Sequence, residues 1–218
     1  KERQSIQKVS GDKKNATEDE KQKIFLFESQ QGEAEKQILS LDEKKPALPE
    51  GEYKNEFYSR GGVVHRLDKE TSGILILAKN PQVFADLQKQ FRERTVKKVY
   101  QALAHGVVAP SEGEISVPVG RLPWNRKSFG IVPGGRESKT LYKVLQTYQD
   151  AKTKEKLSLV ELYPQSGRTH QIRVHMRYAN HPIISDPIYR GTKEKALDFD
   201  RLALHAYSIS FILPSGKP

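Results

Sequence analysis

Apolar residues recur at regular spacing from Gly61 onward and are sparse before it. In GGVVHRLDKETSGILIL, residues 61–77, Val63-Val64 and Ile74-Leu75-Ile76-Leu77 have the character of two buried strands. Side chains alternate along a strand, so Arg66 and Asp68 would leave the first on the same side, and Thr71-Ser72-Gly73 would turn the chain. Asn80-Pro81 fits an N-cap and first helical position. Val83, Phe84, Leu87 and Phe91 then predict a helix to about Arg94. Lys97–Val108 and Glu114–Val119 read as strands, Pro118 marking an edge or end of the second. Residues 123–138 read as a basic loop with a Pro-Gly-Gly turn. Leu141–Tyr148 and Leu157–Tyr163 alternate like an antiparallel hairpin. Thr169 is placed to cap a short helix to about Ala179, with Ile172 and Met176 on one face and Arg173 and Arg177 on another. Residues 201–213 form a last alternating strand. Strands outnumber helices and neighbours look hairpin-connected. The pattern predicts an α+β fold, a mixed, mainly antiparallel sheet with a few flanking helices, rather than a doubly wound parallel sheet.

Residues 1–60 differ in kind. Lys, Glu, Gln and Ser dominate, Ile24-Phe25-Leu26-Phe27 is the one clear apolar run, and Pro46, Pro49 and Gly51 break up the stretch after it. They read as a polar leader or linker with at most an edge strand, and residues 61–218 as the domain that carries the chemistry. A chain of 218 residues has room for one sizeable core. No apolar run is long enough to span a membrane, and no secretory leader is visible. Zero cysteines remove disulfides and thiolate chemistry and suit a reducing, cytoplasmic setting.

Charge changes the picture most. Residues 51–218 hold 27 Lys/Arg against 16 Asp/Glu, a net of +11, whereas residues 1–50 hold 10 against 11. A strongly basic domain beside a near-neutral leader points to a polyanion, nucleic acid first, bound through its phosphates.

Three sets of side chains are candidates for chemistry. Asp68 is either a turn-capping aspartate or a carboxylate displayed beside His65 and Arg66. Six histidines, at 65, 105, 170, 175, 181 and 205, invite a metal reading. His170 and His175 are five apart, however, and a helix does not bring that spacing onto one face. No metal site is expected. Arg66, Tyr100, Arg168, Arg173 and Arg177 combine cations with an aromatic ring, a set suited to a flipped base and its flanking phosphates, or simply to an exposed basic face.

Four stretches taken together resemble the RluA family of pseudouridine synthases: GGVVHRLDKETSGILILAK, KKVYQALAHG, SGRTHQIRVHMRYANHPIISDPIY and RLALHAYSISF. The intervening VPVGRLPWNRKSFGIVPGGRESKTLYKVL resembles the branch that modifies large-subunit ribosomal RNA. The resemblance implies an isomerase that needs no cofactor and converts uridine to pseudouridine in structured RNA. Ribosomal RNA is the expected partner, with transfer RNA or a non-catalytic RNA-binding role as alternatives. It implies Asp68 as the nucleophile, Tyr100 stacked on the target base and placed for proton transfer, and Arg173 paired with the aspartate. Arg66 would help displace the flipped uridine, and His65, Arg168 and His170 would also bind substrate. A monomer without a membrane partner is expected. An upstream NKPxG-like turn and a closing apolar-acidic stretch, usual in the family, are not seen, so the domain reads as incomplete at both ends.

Overall fold

The long alternating runs become a six-stranded sheet. The computed structural model describes residues 52–151, 153–190 and 200–213. The chain divides into two units, Lys1–Pro49 and Glu50–Pro218, and every described residue belongs to the second. The edge strand expected at Ile24–Phe27 lies outside the described residues. Gly61, expected as the domain start, falls inside the second unit. A helix, α1 (Glu52–Ser59), precedes it. Phe57 of α1 packs edge-to-face on Phe84 with ring centroids 5.7 Å apart.

In chain order the remaining elements are β1 (Ser72–Gly73), α2 (Pro81–Glu93), β2 (Lys97–His105), β3 (Glu112–Ser116), β4 (Val119–Leu122) and β5 (Asn125–Ile131). Next come β6 (Lys139–Gln149), β7 (Lys156–Pro164), α3 (Gln171–Tyr178) and β8 (Leu204–Ser210). The sheet runs β1-β8-β2-β7-β6-β3, antiparallel at every pairing except the short parallel β1–β8 edge. The α+β expectation holds.

Period two places the site. Ala102 and Ala104 of β2 face the core with Val160 and Leu162 of β7 and Ile172 and Met176 of α3. Tyr100 packs against the same cluster, two residues before Ala102 on the same side of β2. Fully burying a Leu162 or Met176 side chain is worth about 1.5–3 kcal/mol, which fixes α3 over the sheet. Helix α2 follows its sequence signals closely. Asn80 accepts from the Val83 N–H at 2.9 Å, Pro81 opens the helix, and Arg94 ends it in the left-handed region at φ 61°.

Three expectations fail. Val63-Val64 and Ile74–Leu77 are not strands; a single bridge joins Val63 to Leu77, and Ile74, Leu75 and Leu77 are exposed. Arg66 and Asp68 therefore sit on a loop, not on one side of a strand. Only Ser72 and Gly73 pair, with His205 and Ala206 of β8. Residues 123–138 are not one basic loop, because β5 pairs with β4 as a hairpin before the Pro-Gly-Gly turn. Val119 and Phe129 of that hairpin pack with Val174 of α3 and with Tyr189, which follows the helix in the chain. Finally, Thr169 does not cap α3. The cap position is His170, which makes no side-chain capping bond; instead Gln171 Oε1 accepts from the Arg168 N–H at 3.0 Å.

Candidate active site

The aspartate loop is held at both ends. Gly62, at φ 75°, lets its carbonyl accept from the Ala78 N–H at 2.8 Å, and a Cβ there would meet the Ala78 oxygen at 2.3 Å. The Thr71 N–H donates to the Asp68 carbonyl at 2.9 Å, closing a turn immediately before β1. Gly73, at φ 112°, lies so close to β8 that a Cβ would stand 2.2 Å from the Ala206 oxygen. His65 ties down the centre. Its Nε2 accepts from the Ile76 N–H at 3.0 Å, and its ring stacks on Phe91 with centroids 4.9 Å apart. Burial, helped by the charge of Lys98, lowers the His65 pKa to about 4, so the ring stays neutral. His65 was expected to bind substrate; it lines the cleft, with this nitrogen engaged in holding the loop.

The loop presents Asp68 to a cleft of about 1100 Å³. Seven residues named from the sequence line it: His65, Arg66, Asp68, Tyr100, Arg168, His170 and Arg173; Arg177, named with them, is exposed and is not among the lining residues. Among the described residues Asp68 is its only acid, facing a wall that also holds Arg92, Arg94, Lys97 and Lys98. Arg66 is exposed, and Arg168 donates through Nε to the Glu137 carbonyl at 3.2 Å.

Arg173 holds the centre together. Its Nη1 donates to Asp68 Oδ2 at 3.2 Å. Nε and Nη2 both grip Asp186, at 2.8 Å each, in a bidentate fork. Arg173 was expected on one helix face with Arg177 and paired with Asp68; its side chain is only 3% exposed, whereas Arg177 is exposed. Burial works against its charge, but the hydrogen bonds and charges of Asp186 and then Asp68 outweigh it and raise the pKa. Asp186 is fully buried and accepts further bonds from the Ile188 and Tyr189 N–H groups, at 2.9 and 3.0 Å. The Tyr189 ring lies against the guanidinium, 5.0 Å from its centroid. Tyr100 keeps its proton, since burial and the nearby charge of Asp68 both raise its pKa.

Sequence reasoning missed Asp186 and Tyr189. Both stand in SDPIY, where Asp-Pro reads as an ordinary turn and nothing local shows that the aspartate closes on a guanidinium 13 residues away. The metal reading of the histidines is replaced by hydrogen bonds. His105 pairs with Glu155, His175 with Ser138 and Thr140, His181 with the His105 carbonyl, and His205 with Ser72. Among the described residues no three His, Cys, Asp or Glu side chains converge on a metal position.

The mainly antiparallel α+β sheet, and the one carboxylate held by a buried guanidinium in a cationic cleft, agree with what the resemblance to pseudouridine synthases implies. Residues 21–178 match the RNA pseudouridylate synthase family, and the chain belongs to it. The match begins at residue 21, inside the segment read as a leader. A Neisseria meningitidis protein named ribosomal large subunit pseudouridine synthase D is 44% identical over 72% of this chain and 43% of its own length. The Arabidopsis thaliana RNA pseudouridine synthase 2, chloroplastic, is 36% identical over 71% and 41%. The structure of human RNA pseudouridylate synthase domain containing 1 superposes with a TM-score of 0.66 at 30% identity, covering 73% of this chain and 68% of that one. The chain thus spans about half the length of the curated relatives it matches.

Proposed function

We propose that this chain carries the catalytic domain of an RNA pseudouridine synthase that acts on ribosomal RNA. One observation carries the reading: Asp68, the only carboxylate among the described residues of a cleft lined with Lys and Arg, is hydrogen-bonded to the buried Arg173. The reaction breaks the bond from the sugar to N1 of uracil and forms one to C5. The C5 hydrogen leaves as a proton, and N1 gains one. Nothing is oxidised or hydrolysed, so the isomerisation needs no redox cofactor or water.

The enzyme must keep a nucleophile charged where water is scarce. Arg173 places a buried cation 3.2 Å from the Asp68 carboxylate, a fixed partner for the negative charge of the nucleophile. Asp186 holds Arg173 from the opposite side, so the guanidinium does not swing away when the substrate enters. Tyr100 offers a ring face and a protonated hydroxyl beside the aspartate. Arg66, exposed next to it, fills the gap left by an extruded nucleotide and offsets an unstacking cost of roughly a few kcal/mol.

Ribosomal RNA is favoured over transfer RNA by the Neisseria relative, named for the large ribosomal subunit. The absence of cysteine suits a cytoplasmic compartment. The test is incubation with unmodified ribosomal RNA and transfer RNA, followed by carbodiimide mapping of pseudouridine. A new stop in ribosomal RNA alone is expected; stops only in transfer RNA would overturn the substrate, and none in either would overturn the activity.

A further inference from the structure

The hydroxyl of Tyr189 determines which nitrogen of His170 carries hydrogen. That hydroxyl accepts from the Phe129 N–H of β5 at 2.9 Å and lies 2.7 Å from His170 Nδ1. A backbone N–H can only donate, so the single phenolic proton is left for Nδ1. In the opposite arrangement, with Nδ1 protonated, the phenolic proton would point at no other acceptor among the described residues. Tyr189 is 8% exposed, and leaving a largely buried donor unpaired costs up to about 1–3 kcal/mol, which favours the first arrangement. Nδ1 therefore accepts, and the hydrogen of the neutral ring sits on Nε2.

Nε2 faces the reacting carboxylate. It lies 4.0 Å from Asp68 Oδ2, too far for a hydrogen bond and close enough for a substrate atom to meet both groups. The ring is gripped from two sides, with edge contacts to Phe129 at 5.5 Å and Tyr189 at 5.6 Å. The backbone adds an independent sign. His170 is held at φ 56°, a left-handed conformation costing a non-glycine residue of order 1–3 kcal/mol, and such strain clusters at working sites. Burial lowers the pKa of the ring; Asp68 and Asp186 oppose this, while Arg173 and Arg66 reinforce it, and the net shift is downward. A neutral ring leaves the Asp68 charge to Arg173 and the substrate; an imidazolium would pair with Asp68 and quench it.

We propose that His170 is a catalytic residue acting as a neutral imidazole, its Nε2–H donating to a carbonyl oxygen of the uracil beside Asp68, with Tyr189 as the positioning residue that fixes this tautomer. When the bond from sugar to N1 breaks, negative charge spreads onto the uracil carbonyl oxygens. A donor already aimed there stabilises the separated base without moving. No proton is transferred in this step. The proposal rests on the pseudouridine synthase reading.

Its test has two independent readouts. The first is nitrogen-15 NMR of histidine-labelled protein without RNA, at neutral pH. Wild type should show a bare Nδ1 and a protonated Nε2 for His170, and Tyr189→Phe should mix the two tautomers. The second is turnover. Tyr189→Phe should lower kcat about tenfold, the worth of one hydrogen bond, with little change in KM. His170→Ala should lose about 100-fold or more, and His170→Gln, whose amide N–H can stand near Nε2, should retain more. A wild-type ring protonated on Nδ1 would overturn the inference without any variant. So would a Tyr189→Phe protein unchanged in both tautomer and kcat, or equal losses in the Gln and Ala variants. Wild type that forms no pseudouridine would overturn the proposed function instead, and leave the tautomer result standing.

Discussion

Arg173 is the residue on which the site turns, because one guanidinium serves two carboxylates, the buried Asp186 and the cleft-facing Asp68. Removing one partner of such a buried pair costs about 3–5 kcal/mol, since the other charge is left stranded. Arg173→Ala should therefore lower the melting temperature by roughly 6–20 °C, at about 2–4 °C per kcal/mol for a unit of this size. Arg173→Lys should hurt less, keeping one charge but losing the fork that spans both acids. Calorimetry and turnover on both variants check this; equal stability of the Ala variant and wild type would remove Arg173 from the account. His65 carries a prediction in pH. Unfolded, its imidazole takes a proton near 6.5; folded, burial delays that to about 4. Between those values the unfolded chain binds more protons, so stability present above 6.5 is lost as pH falls toward 4. His170, His175 and His205, whose pKa values burial also lowers, act in the same direction. His65→Gln keeps an acceptor for the Ile76 N–H without the titration, so its melting temperature should fall less steeply across that window. Parallel curves would mean that another group is responsible.

At the scale of elements, the two-residue β1 does more than its length suggests, since it anchors the Asp68 loop to the edge of the sheet. Gly73→Ala would force a Cβ against the Ala206 backbone at 2.2–2.6 Å. Overpacking of this kind costs typically 1–3 kcal/mol, so the melting temperature should drop and turnover with it, as β1 lifts from β8. An alanine that left both intact would show that this pairing does not hold the loop. The elements legible in the sequence were those whose signals are local: α2 with its Asn80-Pro81 start, and the β6–β7 hairpin with its alternation. Ile74–Leu77 misled because an aliphatic run looks the same whether or not a neighbouring strand is there to pair with it. The β4–β5 hairpin was hidden in a basic segment, since its burial comes from docking on α3 rather than from its own alternation. Helix α1 offered little but aromatic residues in a polar stretch, and its contacts, Phe57 on Phe84 and Glu56 on Gln88, reach some 30 residues along the chain.

For the whole molecule, the sequence made the Asp68–Arg173 pairing legible only through four motifs scattered over some 150 residues, because no local pattern links positions 105 apart. Asp186 and Tyr189 stayed hidden for the same reason: each acts on a partner that only folding brings near. Net charge, by contrast, needs no fold to read. With +11 on residues 51–218, RNA affinity should fall steeply with salt. A protein making 6–10 phosphate contacts loses roughly 1,000- to 100,000-fold between 50 and 200 mM. A flat response in filter binding would rule out an extended phosphate footprint. That dependence also separates binding from chemistry, since affinity spread over many cations should not notice the loss of one carboxylate. Asp68→Asn tests this most directly, being nearly isosteric and leaving the backbone bond from the Thr71 N–H to the carbonyl of residue 68 in place. Pseudouridine formed in unmodified ribosomal RNA should disappear in Asp68→Asn, while RNA affinity stays within a few-fold of wild type at the same salt. Wild-type turnover in that variant would contradict the assignment of Asp68 as the reacting group.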